Sequence, residues 1–367
     1  MKKYKTCVYA ISKNEEKFVE RWYNSIKNSD YICVLDTGST DNTVNKLKQL
    51  GVIVKEEKIE PWRFDNARNE SLKLIPDDTD ICICLDLDEV MQPNWKEKIL
   101  SKWNDNLTRI LYTYNWSLDN NNNPLISFYA NKIHKNKIYK WTHPVHEVLS
   151  INDDEKEEQI LIDDLIIDHY PDSKKSRSSY LPLLELSVKE DPDDDRNMHY
   201  LGREYMYYGK WNQCIDTLQK HLKLKNATWK DERAASMRFI ARSYKYLNKI
   251  EESLLWYKNA IAEAPYLKEG YAELMILYYE LNDYNNAINY GIKTLQINNN
   301  NKSYISENFS RNEYIYDILS LCFFNLGHKK IGLKFLELAI EENPNNQRLQ
   351  ENKKYFEWFF KILFQFI

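Results

Sequence analysis

The first 115 residues alternate short apolar runs with segments of helical spacing, and this alternation most constrains the fold. Apolar strands are predicted at 6–11, 31–35, 52–55 and 80–85. Helices are predicted between them at 15–27, 43–50 and 66–74. Strands that alternate with helices predict a parallel, doubly wound sheet. From residue 109 to 169 the pattern changes to loops and short strands, with candidates at 111–116, 127–133, 138–139 and 161–167.

After Asp172 the chain has helical spacing to its end, and helical hairpins are predicted at 197–224, 231–264, 267–297 and 312–342. Leu247 and Leu281 close successive first helices and are 34 positions apart, which is the tetratricopeptide period. The flanking steps are longer, and inserted loops explain them. One hairpin buries little apolar surface, so we expect stacked hairpins to form the core.

These patterns divide the chain into four predicted segments. Residues 1–172 form an α/β domain, 173–195 a linker helix, 196–344 the helical repeats and 345–367 an aromatic C-terminal helix. Residues 355–367 are crowded with aromatic and aliphatic side chains but are too few to span a bilayer. We expect this helix to cap the repeats. A dimer contact and an interfacial membrane anchor remain alternatives.

Composition excludes some classes of function. The net charge of -4 argues against a general nucleic-acid-binding protein. Four of the six cysteines (Cys7, Cys33, Cys82 and Cys84) fall in predicted strands, as small core residues do in a reducing compartment. With neither a signal-peptide pattern nor a run of 18 apolar residues, we expect a cytoplasmic protein without a transmembrane helix.

Two acidic side chains follow the apolar run that ends at Leu85, in the motif Asp86-Leu87-Asp88. Side chains of a strand repeat every two residues, so a strand that continued through the motif would place both carboxylates on one face. Two hard oxygen ligands at this position suit a divalent cation that binds phosphates. In open α/β sheets, ligands usually bind at the carboxyl edge.

Other polar residues are predicted to lie at the same edge. Glu15 follows the first strand and Asp36 follows the second, and both can accept hydrogen bonds from a base and from ribose hydroxyls. Arg68, on the predicted helix 66–74, offers a cation for phosphates. The sequence contains neither glycine-rich phosphate-binding motif. Metal and arginine are therefore expected to bind the phosphates instead.

These segments together resemble the inverting family 2 glycosyltransferases of the GT-A fold. The resemblance rests on ISKNE at 11–15, DTGSTDNT at 36–43, ARN at 67–69 and DLD at 86–88. WTHPVHE at 141–147, DHY at 168–170 and the segment 190–204 resemble a subgroup with C-terminal tetratricopeptide repeats, which includes the sublancin-type peptide S-glycosyltransferases. The resemblance implies a Rossmann-like mixed sheet with helices on both faces, followed by an all-α repeat domain. It covers roughly residues 5–225 by specific motifs.

The resemblance also implies roles for individual residues. Asp88 would ligate Mn²⁺ or Mg²⁺, and His169 would complete the metal shell, since neutral imidazole is a plausible Mn²⁺ ligand. Glu147 is the candidate catalytic base and His146 the alternative, although a thiol acceptor would need little help from a base. Trp141 is expected to stack on a sugar face. The residues expected to bind the nucleotide sugar are Ala10, Ser12, Glu15, Asp36, Arg68, Asp86, Leu87 and Trp141.

The expected function is metal-dependent, inverting transfer of a sugar from a nucleotide sugar, a UDP-sugar by preference, to a protein, peptide or glycan. One alternative is a transferase that builds surface polysaccharide or glycolipid. Another is a non-catalytic tetratricopeptide scaffold with a degenerate transferase domain. The expected partners are the nucleotide sugar and the acceptor, with no nucleic acid. A homodimer through the repeats or the C-terminal helix and a peripheral membrane contact are further expectations.

Overall fold

The computed structural model describes residues 3–119, 121–172, 178–298 and 303–365, with side chains to residue 357. The chain divides into two compact units. The sheet unit contains Met1–Pro192 and Lys302–Tyr304, and the helical unit contains Asp193–Asn301 and Ile305–Ile367. The fold class expected from the sequence is confirmed, because a mixed sheet with helices precedes an all-helical region.

The first half of the sheet is parallel, as the alternating pattern predicts. Its strands are β1 (Thr6–Ser12), β2 (Tyr31–Asp36), β3 (Ile53–Glu56) and β4 (Ile81–Cys84), in the order β3-β2-β1-β4. β1 is buried on both faces, with Val8 and Ala10 in one core cluster and Cys7 and Tyr9 in the other. Burial on both faces explains the continuous apolar run of this strand.

The second half of the sheet is mixed. It adds β5 (Glu89–Met91), β6 (Arg109–Leu118), β7 (Pro124–Lys135) and β10 (Gln159–His169), in the order β4-β7-β6-β10-β5. β7 is antiparallel to β4 and β6, β10 is parallel to β6, and β5 is antiparallel to β10. The sheet is mixed beyond β4, as the resemblance implies, because β6 and β7 form a long hairpin. β8 (Tyr139–Thr142) and β9 (Val148–Ile151) form a separate hairpin.

Helices cover both faces of the sheet. They are α1 (Val19–Ile26), α2 (Thr43–Gln49), α3 (Phe64–Leu72) and α4 (Trp95–Lys102). A further helix of this unit, α5 (Tyr180–Glu190), follows β10 in the chain. Trp22 of α1 and Trp95 of α4 are buried in the cluster with Val8. Trp22 also donates a hydrogen bond from Nε1 to the Leu85 carbonyl at 3.0 Å, which ties α1 to the chain just before the acidic motif. The strand cysteines pack on the opposite face, against the β8–β9 hairpin.

The helical unit confirms the predicted hairpins to within a few residues. The pairs are α6 (Asp195–Tyr207) with α7 (Trp211–His221), α8 (Lys230–Tyr246) with α9 (Ile250–Glu263), α10 (Lys268–Glu280) with α11 (Tyr284–Gln296), and α12 (Tyr314–Asn325) with α13 (Lys329–Glu342). The first helix of each pair is followed, two residues on, by a residue with positive φ: Gly209, Asn248, Asn282 and Gly327. Glycine and asparagine are the residues that adopt this left-handed helix cap at least cost.

The last helix, α14 (Gln347–Gln365), follows α13. Phe356 is buried with Leu336, Ala339 and Leu349, so the start of α14 packs on α13 in the way a capping helix does. The side chains of Trp358, Phe359 and Phe360 are not described, and Phe366 and Ile367 lie outside the described residues. Among the described residues, none of the helices is long and apolar enough to cross a membrane.

Candidate active site

The acidic motif lies in a turn, not on a strand. β4 ends at Cys84, and the backbone N–H of Glu89 donates to the Asp86 carbonyl at 2.9 Å to close the turn before β5. The expectation that Asp86 and Asp88 share a strand face is therefore wrong, because strand alternation stops before the motif. The two carboxylates instead have different partners. Asp86 is bound by cations and Asp88 lies beside a histidine.

His169 lies next to Asp88, with 3.6 Å between His169 Nε2 and Asp88 Oδ2. The antiparallel pairing of β5 with β10 produces this contact, since His169 is opposite Glu89 and the Tyr170 N–H donates to the Asp88 carbonyl at 2.8 Å. His169 Nδ1 is 3.0 Å from the carbonyl oxygen of Trp116. A carbonyl only accepts, so Nδ1 donates and Nε2 is the atom that faces Asp88.

The surroundings of His169 favour a charge on its ring when no metal is bound. Burial opposes that charge, but the neighbouring Asp88 carboxylate outweighs it and raises the His169 pKa above its ordinary value. The Trp116 ring stacks on His169 with 4.7 Å between centroids, and 46% of Trp116 is exposed. An open aromatic surface therefore borders the two predicted metal ligands.

Arg68 is buried and binds Asp86 through a two-pronged ion pair. Its Nη1 and Nη2 donate to Asp86 Oδ1 and Oδ2 at 2.8 and 2.9 Å, and its Nε donates to Glu147. Burial would raise the Asp86 pKa, but the charges of Arg68 and Lys132 outweigh it and lower that pKa well below its usual range. Asp86 therefore stays ionised. Arg68, predicted to approach the base and diphosphate, instead holds two carboxylates in this structure.

Lys132, Glu89 and Tyr114 belong to the site but were not predicted from the sequence. Lys132 Nζ lies 3.4 Å from Asp86 Oδ2 and 3.2 Å from Glu89 Oε1. Glu89 Oε1 also accepts a hydrogen bond from the Tyr114 hydroxyl at 2.7 Å, and Glu89 Oε2 accepts one from the Asp86 N–H at 2.9 Å. Glu89 directly follows the acidic motif, which was its only sequence signal. Lys132 and Tyr114 lie in strands without a motif.

Glu89 is the most deeply buried acid beside the motif. Burial and the charges of Asp86 and Asp88 raise its pKa, although the neighbouring Lys132 acts in the opposite direction. Glu89 thus links Lys132, Tyr114 and the backbone of Asp86 into one network beneath the motif. Such a network fixes the position of the turn.

Asp36 organises its own loop. Its carboxylate accepts hydrogen bonds from Ser12 Oγ at 2.8 Å, from the Gly38 N–H at 3.0 Å, and from the N–H and Oγ of Ser39 at 2.7 and 2.5 Å. The backbone N–H of Glu15 donates to Thr43 Oγ1 at 2.8 Å. The first two strand ends therefore meet, as predicted. In this structure, however, the Asp36 oxygens are used by the loop itself.

The sugar-stacking role predicted for Trp141 does not fit the structure. Only 3% of Trp141 is exposed, its Nε1 donates to the Tyr9 hydroxyl at 3.1 Å, and Arg68 lies over its ring at 5.0 Å from the centroid. A ring covered in this way has no face left for a sugar. The side chains of Ala10 and Leu87 are also buried in the core, so neither reaches a nucleotide through its side chain.

The two candidate catalytic bases, Glu147 and His146, lie in the β8–β9 loop and have different contacts. Glu147 is paired with Arg68 and largely buried. His146 has a positive φ of 51° and its ring meets that of Tyr180 edge-on at 5.6 Å. Asn69 of α3 fixes this hairpin, because its side chain donates to the Trp141 carbonyl at 2.9 Å and accepts from the Trp141 N–H at 2.8 Å. Arg68 and Asn69 therefore anchor the loop from one helix.

Solved structures similar to the chain include two that are described as TPR proteins. A crystal structure of MamA is 18% identical, with a TM-score of 0.38, and the match covers 47% of this chain and 91% of that one. YrrB, a TPR protein with an unusual peptide-binding site, is 12% identical, with a TM-score of 0.36 and coverage of 48% and 83%. A thermophilic TPR protein of Thermus thermophilus is 16% identical, with a TM-score of 0.35 and coverage of 49% and 90%.

No curated protein matches the chain at a significant level of similarity. Residues 7–161 match the family model for glycosyl transferase family 2. The matched segment runs from the second residue of β1 into β10, and it includes Asp36, Arg68, Asp86 and Asp88. The sheet unit therefore contains a segment similar to glycosyl transferase family 2, and helical repeats follow it.

Proposed function

We propose that this protein is a metal-dependent inverting glycosyltransferase that moves a sugar from a UDP-sugar to a protein, peptide or glycan. The approach of His169 Nε2 to Asp88 Oδ2, beside the anionic Asp86, is the observation that carries the proposal. The family 2 match of residues 7–161 supports the transferase class. The retained network of Asp86, Arg68 and Lys132 argues against a degenerate, non-catalytic domain.

Asp88 and His169 would hold the Mn²⁺ or Mg²⁺ ion. The residues fit such an ion, because a hard carboxylate oxygen and an imidazole nitrogen face each other, and the Trp116 carbonyl orients the ring through the other nitrogen. When bound, the metal would supply positive charge that stabilises a diphosphate leaving group. A metal binds only the neutral form of the His169 ring. It would therefore displace the proton that Asp88 stabilises on this ring when no metal is bound.

The surrounding residues prepare this site for a nucleotide sugar. Arg68 and Lys132 keep Asp86 ionised and fixed in place. Lys132 is more exposed than Arg68, so we propose Lys132 as the cation that contacts the diphosphate. Trp116 is the exposed aromatic surface beside His169, and we propose that it replaces Trp141 as the residue that stacks on the donor.

Glu147 remains the proposed base, with His146 as the alternative. Arg68 binds Glu147 through Oε1 in this structure, so Oε2 is the oxygen that would accept the proton. An acceptor thiol would need little help from this base, because thiols ionise readily. This consideration supports a cysteine-containing peptide acceptor of the sublancin type over a sugar hydroxyl. Tetratricopeptide arrays commonly bind peptides, and the helical unit is the proposed acceptor-binding or dimer-forming part.

The proposed location is the cytoplasm. All six cysteines are unpaired and buried, which supports a reducing compartment. Peripheral membrane contact through the C-terminal helix is an additional proposal, and sedimentation with liposomes with and without residues 355–367 tests it.

A hydrolysis screen tests the proposed function. Wild-type protein and Asp88→Ala are incubated with Mn²⁺ and a panel of UDP-, GDP- and dTDP-sugars, and release of the nucleotide is measured. We expect wild type to release UDP from one donor and Asp88→Ala to be at least a hundredfold slower. If both proteins are equally inert and neither binds UDP, the enzyme assignment fails.

A further inference from the structure

Three side chains with metal-binding chemistry meet in the helical unit, at the ends of three consecutive helices. Asp195 begins α6, His221 ends α7 and Glu232 lies in the first turn of α8. One ligand atom from each residue lies within 4.8 Å of the other two. The α6–α7 hairpin brings His221 close to Asp195, and the connection from α7 to α8 brings it close to Glu232.

His221 is fully buried and points one nitrogen into this cluster. Its Nδ1 is 3.0 Å from the Ser236 hydroxyl, and its Nε2 is buried without a hydrogen-bond partner. That Nε2 lies 3.3 Å from Glu232 Oε1. When the Ser236 hydroxyl accepts from Nδ1, Nε2 keeps its lone pair and faces the carboxylates. This is the arrangement of a metal-ligating histidine that is oriented through its other nitrogen.

The two carboxylates are close enough to repel. Glu232 is buried, and Asp195 is half-buried. The Asn226 side chain donates to Asp195 Oδ1 at 3.3 Å. A divalent cation between the carboxylates would remove this repulsion.

The distances agree with tetrahedral zinc chemistry. Ligand bonds of about 2.0–2.1 Å at tetrahedral angles separate ligand atoms by about 3.3 Å, which is the separation of His221 Nε2 and Glu232 Oε1. Asp195 lies within 4.8 Å of the other two ligand atoms and is the most exposed of the three, so it is the ligand that moves in. Water would complete the four positions.

We propose that Asp195, His221 and Glu232 form a Zn²⁺ site that joins the α6–α7 hairpin to α8. Its role is structural, because the ligands lie at helix ends in a buried part of the helical unit. The site is independent of the proposed catalytic metal, whose ligands belong to the sheet unit. Its failure would leave the proposed function untouched.

Zinc titration of the full-length protein tests the site. The double variant Asp88→Asn/His169→Ala removes the proposed ligands of the sheet unit and serves as the background. Zn²⁺ affinity is measured by competition with a chromophoric chelator, Co²⁺ absorption reports tetrahedral ligation, and melting temperature is recorded with and without Zn²⁺. We expect the background protein to bind one Zn²⁺ and to melt at a higher temperature with it.

Conservative changes keep the test independent of folding. In this background, Glu232→Gln and Asp195→Asn should each weaken Zn²⁺ binding at least tenfold and remove the Co²⁺ bands, while helical circular dichroism is retained. Glu251→Gln, an exposed acid in the first turn of α9, is the matched control and should change neither signal. Absence of bound Zn²⁺ in the background protein, or unchanged affinity in both variants, would overturn the proposal.

Discussion

His169 and Asp88 face each other where β10 runs beside β5, with 3.6 Å between Nε2 and Oδ2. The two residues are far apart in the sequence, and one antiparallel pairing of three-residue β5 brings them together. The same pairing places Glu89 under the acidic turn. The proposed metal site therefore depends on a strand that is too short to be found from hydrophobic periodicity.

Replacing His169 by alanine should weaken Mn²⁺ binding by about 10- to 100-fold, because one ligand and its oriented nitrogen are lost. Mn²⁺ affinity is measured by electron paramagnetic resonance of the free ion. His328→Ala is the control, since His328 is an exposed residue before α13. Equal Mn²⁺ affinity in wild type and His169→Ala would contradict the assignment of His169 as a ligand.

Replacing Arg68 by methionine should lower the free energy of unfolding by about 3–5 kcal/mol, because the change leaves buried carboxylates without their main partner. Asp86 and Glu147 both lose Arg68 contacts. Urea denaturation measures the change. Lys48→Met removes an exposed ion pair with Glu56 and should cost no more than about 1 kcal/mol. If Arg68→Met lowers the free energy of unfolding no more than Lys48→Met does, the buried ion pairs of Arg68 do not stabilise the fold.

His134 should make stability depend on pH. Burial lowers the His134 pKa to about 4, below the ordinary value of about 6.5. The unfolded chain therefore takes up a proton below about pH 6.5, whereas the folded chain does so only near pH 4. Stability from neutral His134 is complete above about pH 6.5 and falls as the pH drops through this interval.

A His134→Gln variant measures this effect. Trp141 Nε1 donates to the Tyr9 hydroxyl, which in turn donates to His134 Nε2 at 2.9 Å, so the ring is held neutral with its proton on Nδ1. The loss of unfolding free energy caused by His134→Gln should be smaller at pH 4.5 than at pH 7.5 by about 2–3 kcal/mol. A loss that is the same at both pH values would contradict this account.

Gly202 should be intolerant of even a methyl group. A Cβ at this position of α6 would lie 2.3 Å from Cγ and Cδ2 of Leu218 on α7, and Leu218 is fully buried. Gly202→Ala should destabilise the protein by about 1–3 kcal/mol through overpacking, although alanine alone favours a helix by about 1 kcal/mol. Thermal unfolding of wild type and Gly202→Ala measures this loss of stability.

A double variant provides the control for Gly202. In Gly202→Ala/Leu218→Ala the cost should be less than the sum of the two single costs, because the clash is removed. A stabilising effect of Gly202→Ala in the wild-type background would show that α6 and α7 are not packed as closely as the structure indicates.

The helical unit could be predicted nearly residue by residue. Its helices have long apolar periodicity, and glycine or asparagine follows the first helix of each pair. Such signals are local, so they can be read from the sequence without knowledge of tertiary contacts. β1 to β4 were equally accessible, because strands buried on both faces are continuous apolar runs.

The site could be predicted only in part. The motifs predicted Asp88, Arg68 and His169 as site residues, but they did not show that His169 lies beside Asp88 or that Arg68 pairs with Asp86. Arg68 forms ion pairs with Asp86 and Glu147, and its guanidinium group lies over the buried Trp141 ring. The contacts with Glu147 and Trp141 arise because α3 packs on the β8–β9 hairpin, and this packing cannot be read from the sequence. Lys132 was missed because it belongs to no motif and reaches the site through the β4–β7 pairing.

Calorimetric titration of UDP into the protein tests the central claim most directly, because it asks whether Asp88 and His169 bind a metal that holds a diphosphate. Titrations are compared with Mn²⁺ and with EDTA, for wild type and Asp88→Asn. We predict that wild type binds UDP at least tenfold more tightly with Mn²⁺ than with EDTA, and that Asp88→Asn shows no such difference. UDP affinity that is the same with Mn²⁺ and with EDTA in wild type would contradict the account.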